Sequence, residues 1–226
     1  MMISKNKLNQ EPCCFHELYR EEFDSIREKK TQLTYQQGEN LFKQGAFAPY
    51  VMYIIDGLIK VYLQTGYDKQ INLRLAKKGD FLAFSSVFGE NVYKYSALSL
   101  KNSTICMIDK TALNRLLLAN PEFAMQITSR NMQNEHHLYE IIKSISYKQM
   151  RGKLASALIY LSSEEFTNEE VFKYLSRQDI ADFASISTES AIKFLKEFEK
   201  EGILQLNNKD IQIIDPSRIE EIEKRG

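Results

Sequence analysis

Long apolar runs are missing from this sequence. No stretch reaches the roughly 18 residues that a membrane-spanning helix requires, and the N-terminal segment MMISKNKLNQEPCCFHEL lacks the apolar core of a secretory leader. A cytoplasmic location with no membrane partner is the expectation. Cysteine is scarce: Cys13, Cys14 and Cys106 form an odd set with no C-x-x-C pair. That argues against a disulfide framework and a four-thiolate metal site, leaving reduced thiols. Histidine is as rare, with His16, His136 and His137 and none between residues 17 and 135. A metal-dependent barrel enzyme would need two or three histidines with a carboxylate, so no catalytic residues are assigned. The adjacent His136 and His137 would diverge by about 100° on a helix. Both read as helix-surface residues, and no metal site is expected. Net charge is lacking too: residues 1–146 are net +3 and residues 147–226 net −3. Bulk charge therefore gives no support to nucleic-acid binding by the C-terminal part, and any such reading must rest on where the charges sit.

What is present is regular punctuation. Gly38, Gly45, Gly57, Gly66, Gly79 and Gly89 recur at intervals suited to turns between many short strands. YVMYIIDGLIKVYLQ is rich in β-branched and aromatic residues, with Asp56-Gly57 as a hairpin signal. KQINLRLA alternates Ile71, Leu73 and Leu75 against Asn72 and Arg74, and KYSALSLKNSTICMID supplies two more strands. Residues 34–109 therefore read as an antiparallel β-barrel or jelly roll, preceded by a short helix over 15–29. From Asp109 the pattern turns helical. DKTALNRLLLANP is a capped short helix, and a long helix follows from Pro121 to about Ser144 or Ile145, with Asn120 as cap. Its seam, Ile127, Asn131, Asn134, Leu138, Ile141 and Ile145, has coiled-coil spacing and predicts a homodimer interface whose buried asparagines fix register; the competing reading is that the helix packs on its own barrel. YKQMRGKLASALIYLSS is a helix with Leu154, Ala157, Leu158 and Leu161 on its apolar side. GILQLNNKDIQIID is a hairpin, and PSRIEEIEKRG a short, partly frayed helix.

The stretch LSRQDIADFASISTESAIKFLKEFEKEGIL contains two short helices and a tight turn. Ser176 caps the first, with Asp179 completing a capping box, and Ser187 caps the second. In the second helix Ala191, Ile192, Leu195 and Phe198 form the buried stripe. Glu189, Lys193, Lys196 and Lys200 share the opposite face. Such a unit is a helix-turn-helix, and the hairpin after it would be its wing. A helix fits the major groove of double-stranded DNA, so Thr188, Glu189 and Lys193 are the expected base readers. Ser176, Arg177, Ser187 and Ser190 would hold phosphates, and Lys196, Lys200 and Lys209 of the wing would add electrostatic attraction. The competing reading is an ordinary solvated face with a Glu189–Lys193 pair.

At these residues the chain resembles the cyclic-AMP-receptor and fumarate-nitrate-reductase regulator (Crp/Fnr) family over nearly its whole length. GENLFKQGAFAPYVMYIIDGLIKVY is similar to the family's first barrel motif, with Gly38, Glu39, Gln44, Gly45, Tyr53 and Gly57 in place. KKGDFLAF resembles the strand entering its effector pocket. The resemblance implies an α+β protein: an N-terminal β-barrel of double-stranded β-helix or jelly-roll type (1–120), a dimerisation helix (121–146) and a C-terminal winged helix-turn-helix (147–226). It implies a homodimeric transcriptional regulator on a pseudo-palindromic operator, with RNA polymerase as a further partner. Effector-pocket candidates are Leu73, Arg74, Phe84, Ser85, Ser86, Lys94 and Tyr95. The chain departs from the cyclic-AMP-binding members. Ala83-Phe84 stands where they carry Gly-Glu for the ribose hydroxyl, and Lys94-Tyr95 where they carry Arg before a small hydroxyl residue for the phosphate. Cys13-Cys14 lacks the spacing that holds an iron–sulfur cluster, Cys106 leaves the set one ligand short, and no suitably placed histidine suggests haem. The effector is thus an unidentified small molecule or none. Thr188 and Lys193 also replace residues that are arginine in many members, which predicts softer guanine discrimination. The alternative function is a cyclic-nucleotide-responsive module regulating a protein partner.

Overall fold

The computed structural model describes residues 30–67, 69–89 and 91–226. The helix expected over 15–29, with Cys13, Cys14 and His16, lies outside these residues, as do the side chains of Asn134 and His136. The N-terminal unit is eight antiparallel strands: β1 (Lys30–Tyr35), β2 (Asn40–Phe42), β3 (Tyr50–Asp56), β4 (Leu58–Gly66), β5 (Lys69–Lys77), β6 (Phe81–Leu82), β7 (Ser96–Ser99) and β8 (Ser103–Asp109). They pair as two four-stranded sheets, β1-β8-β3-β6 and β2-β7-β4-β5. Among the described residues the sheets do not close on each other, so of the two forms expected, barrel or jelly roll, the unit takes the open jelly-roll form. Met52, Ile54, Ile59, Val61, Ala97 and Ile105 fill the space between the sheets.

Strand β3 is apolar on both faces for a reason. Met52 and Ile54 face the other sheet, whereas Val51, Tyr53 and Ile55 face a cluster with Leu113, Leu116, Phe123 and Ile127. Those last residues lie on helices α1 (Lys110–Ala119) and α2 (Pro121–Tyr147). Both helices start as the caps predict. Asp109 accepts from the Ala112 N–H at 2.9 Å, and Asn120 from the Phe123 N–H at 2.9 Å. Helix α2 runs a turn-fraction further than expected, to Tyr147. It stops where Lys148 and Gln149 turn extended (ψ 148° and 165°) before α3 (Met150–Leu161).

Asp56-Gly57 is not a hairpin turn, because β3 and β4 belong to different sheets; the dipeptide carries the chain across. Gly57 has φ +131°, and a Cβ there would lie 2.2 Å from the Ser103 hydroxyl oxygen. The alternation in β5 is also misread by sequence. Asn72 is fully buried, because a helix of the C-terminal unit covers the outer face of the strand.

The C-terminal unit packs α3, α4 (Val171–Tyr174), α5 (Arg177–Ala184) and α6 (Thr188–Lys200) with the hairpin β9 (Leu204–Asn207) and β10 (Asp210–Ile213), and closes with α7 (Pro216–Arg225). Leu154, Leu158, Leu161, Ile180, Leu195 and Phe198 form its centre. Helix α7 is docked rather than frayed, with Ile219 buried at 1 % exposure in the same cluster. The hairpin turns through Asn208, held at φ 56°. Replacing Gly57 by Ala should cost about 3 kcal/mol, from left-handed backbone strain and the Ser103 clash together. A urea titration reads this as a lower midpoint at unchanged slope.

Candidate nucleic-acid interface and effector cavity

The two helices of the helix-turn-helix are set by local hydrogen bonds. Ser176 Oγ accepts from the Asp179 N–H at 3.1 Å and Asp179 Oδ2 accepts from the Ser176 N–H at 2.8 Å, which is the capping box. Ser185 ends α5 at φ 52°, and the Ser187 hydroxyl accepts from the Ser190 N–H at 3.2 Å to start α6. The Thr188 hydroxyl donates to Gln178 Oε1, tying the two helix starts together. Gln178 had no signal in the sequence beyond its place in the first turn of α5.

Helix α6 buries Ala191, Leu195 and Phe198 at 0 %, 1 % and 0 % exposure. Ile192 is corrected: it is 38 % exposed, because it sits 100° around the helix from Ala191. Glu189, Lys193, Lys196 and Lys200 are all exposed on the opposite side. Lys193 approaches Glu197 at 3.9 Å, and no Glu189–Lys193 pair forms. Glu189 instead lies at the helix start, where its own backbone N–H and the Ser187 hydroxyl hold its carboxyl below the ordinary range. Lys209 is exposed at the tip of the hairpin. Arg177 differs from expectation. Its Nη2 donates to the Asn208 carbonyl at 2.7 Å, so this guanidinium pins the hairpin to α5, and burial depresses its pKa. The Ser176 hydroxyl likewise donates to Asp179 Oδ2 at 2.6 Å.

A cavity of about 400 Å³ lies between the second sheet, the 3-10 turn at Phe84–Val87 and α2. Leu73, Arg74, Phe84, Ser85 and Tyr95 line it, together with Asn131 and Leu138 from α2. Two candidates do not. Ser86 is buried, and its hydroxyl donates to the Ala83 carbonyl at 2.6 Å. Lys94 is exposed and does not line the cavity, one residue out of phase with Tyr95 on the strand approach. Ala83 itself is held at φ 59°, the left-handed region, at the position that corresponds to the glycine of the cyclic-AMP-binding members.

The long helix divides. Ile127 is 5 % exposed and packs on its own sheet with Phe123 and Leu113, so it leaves the expected seam. Asn131 turns its amide back to the Ile127 carbonyl at 2.9 Å. Farther along, Leu138, Ile142 and Ile145 are 36 %, 61 % and 36 % exposed. Ile141 and Ile145 border a second cavity of about 410 Å³, against α3, α5 and α7. His137 is corrected from a surface residue. Its ring stacks on Tyr160 of α3 at 3.9 Å, and its Nε2 is enclosed without a partner among the described residues.

Residues 32–120 match the family model of the cyclic nucleotide-binding domain, and residues 152–222 match the Crp-like helix-turn-helix domain. The fumarate and nitrate reduction regulatory protein of Vibrio cholerae is 30 % identical over 218 residues, 93 % of this chain and 85 % of that protein. The chain belongs to the Crp/Fnr family. Electron transport regulator A of Shewanella oneidensis is 29 % identical over 202 residues, 86 % of this chain and 78 % of that one. The solved structure of FixK2 from Bradyrhizobium japonicum shares the fold, with a TM-score of 0.74 at 15 % identity over 86 % of this chain and 97 % of FixK2. This Crp/Fnr protein is a DNA-binding transcriptional regulator and not an enzyme.

Family membership raises a cyclic nucleotide as ligand, and the cavity can be tested for it. Its described lining has no carboxylate to accept from a ribose hydroxyl. Its one guanidinium, Arg74, already faces Asp80 at 3.6 Å and the carbonyls of Leu75 and Phe81 at 3.4 Å. These residues do not fit the group.

Burial pushes the His137 imidazole below its ordinary 6.5, with Arg74 reinforcing and a Leu73 carbonyl and Glu140 opposing. The unfolded chain therefore takes the proton first. Stability should be complete above pH 6.5 and fall as pH drops from there through the folded value. His137→Phe, which keeps a ring against Tyr160, should flatten that part of a pH–stability curve measured by denaturant unfolding.

Proposed function

We propose that this Crp/Fnr regulator acts as a homodimer that reads a pseudo-palindromic operator with α6. The observation that carries the reading is the division of that helix: Ala191, Leu195 and Phe198 inward, Glu189, Lys193, Lys196 and Lys200 outward. Thr188, Glu189 and Lys193 lie in its first turns, where a groove-bound helix meets base edges. Glu189 accepts from cytosine N4 and Lys193 donates to guanine. Ser176, Ser187 and Ser190, the helix starts, Lys196, Lys200 and Lys209 hold the phosphate backbone. Arg177 joins them by releasing the Asn208 carbonyl.

The dimer forms along the second half of α2, where Leu138, Ile141 and Ile145 with Ile142 need cover; Asn131 sets register. Two reading helices then lie about one DNA turn apart. Residues 1–120 form the sensor, 121–146 the dimerisation helix and 147–226 the reader. The signal enters the cavity beside Leu73, Arg74, Phe84, Ser85 and Tyr95 as a largely apolar small molecule other than a cyclic nucleotide. RNA polymerase at the promoter is the further partner. The cytoplasm, where bacterial DNA lies, is the site of action; no described helix is long and apolar enough to cross a membrane.

Replacing Glu189 and Lys193 together by Ala should weaken binding to a selected operator by about 2 kcal/mol, or about 30-fold. Fluorescence anisotropy measures it, and undiminished affinity contradicts the assignment. Sedimentation at micromolar concentration should show a dimer, and Ile142→Glu, at an exposed position, should give a folded monomer. A monomeric wild-type protein contradicts the dimer.

A further inference from the structure

The sensor touches the helix-turn-helix directly, not only through α2. Lys60 on β4 forms an ion pair with Asp179 on α5, with both side chains largely enclosed at 8 % and 15 % exposure. Asn72 on β5 donates to the Asp179 carbonyl at 2.9 Å. Gln70 donates to Asp182 Oδ2 at 2.7 Å, while Gln178 donates to the other oxygen of that carboxylate at 2.8 Å. The Leu75 N–H donates to the Tyr160 hydroxyl at 2.9 Å. Beneath these polar contacts Leu58, Leu75 and Leu100 of the sensor join the apolar core of the reader.

The placement of the contacts decides what they do. They grip α5 through Asp179 and Asp182, one turn apart on one side. The other side of α5, with Ile180 and Ala184, packs into the reader core. Helix α6 keeps its whole outer face exposed. The grip therefore orients the reader without covering the surface that meets DNA. Burial alone would raise the Asp179 carboxyl, but Lys60 and the Ser176 bonds hold it below its ordinary value, so the carboxylate is the form at neutral pH. Removing one partner of a largely enclosed ion pair is costly, because the other charge is left uncompensated.

We propose that Lys60, Gln70 and Asn72 are positioning residues for DNA recognition: the outer face of β4–β5 is a platform that preorganises the helix-turn-helix. Val61 and Leu73 on the same two strands line the sensor cavity, so the pair of strands has the cavity on one face and the reader on the other. A reader held in its competent orientation loses less affinity to unproductive states. The proposal rests on α6 being the reading helix.

The test uses the full-length protein and a duplex selected from random sequence by the wild-type protein. Binding is measured by anisotropy at several salt concentrations. Lys60→Met should weaken binding on the order of tenfold while leaving the salt slope and the preferred sequence unchanged, and amide exchange over 177–184 should quicken. Lys60→Arg should restore affinity. Gln70→Leu, which leaves both charges of the pair in place, should weaken binding in the same way and serves if Lys60→Met does not fold. Unchanged or tighter binding in these variants overturns the proposal. So does a loss accompanied by a slope reduced by about one, which would make Lys60 a phosphate ligand. If Glu189 and Lys193 prove dispensable for the same duplex, the reading helix itself is misassigned, a failure separate from that of the platform.

Discussion

The burial of one side of α6 is the constraint on which the remaining structure depends. Phe198 is completely enclosed between α3 and α6, with the Arg151 guanidinium 4.9 Å from its ring centre. Leu195 and Ala191 continue the same stripe toward the helix start. Once these three residues are inside, the 100° step of the helix leaves no freedom for Glu189, Lys193, Lys196 and Lys200, which must face out. Burying three such side chains yields several kcal/mol at roughly 25 cal/mol per Å². No single exposed ion pair, such as Lys193–Glu197 at 3.9 Å, competes with that. Hydrophobic packing thus aims the polar face outward, where the proposed reading takes place.

The same logic explains how a C-terminal part with net negative charge binds a polyanion. Several of its acidic residues are engaged within the protein. Asp179 and Asp182 face the sensor, Glu201 pairs with Arg151 at 2.6 Å, and Glu223 pairs with Lys148 beside the end of α2. The lysines of α6 are left to set the local field, and the sum over the chain conceals the arrangement.

Much of this was legible in the sequence because it is local. The caps at Asp109, Asn120, Ser176 and Ser187 and the helix-turn-helix all follow from residues within a few positions of one another, and each formed as expected. Leu73, Arg74, Phe84, Ser85 and Tyr95 sit on neighbouring elements and line one cavity. What the sequence hid is long-range. Asp56-Gly57 looks like a hairpin turn, and only the partner of β4 reveals a sheet crossing. Asn72 read as the polar side of an alternating strand because the helix that covers it begins more than a hundred positions later. His137 read as surface for the same reason, its stacking partner Tyr160 lying across the break at Lys148–Gln149. Ile127 carried a coiled-coil spacing that its own sheet satisfied first.

The central claim is that the outward face of α6 enters the major groove. A crystal structure of the protein with its selected operator duplex tests it most directly. The account predicts α6 lying in the major groove, with Glu189 and Lys193 at hydrogen-bonding distance, about 2.7–3.2 Å, from base edges. A complex in which that face points to solvent while another surface holds the DNA would contradict it.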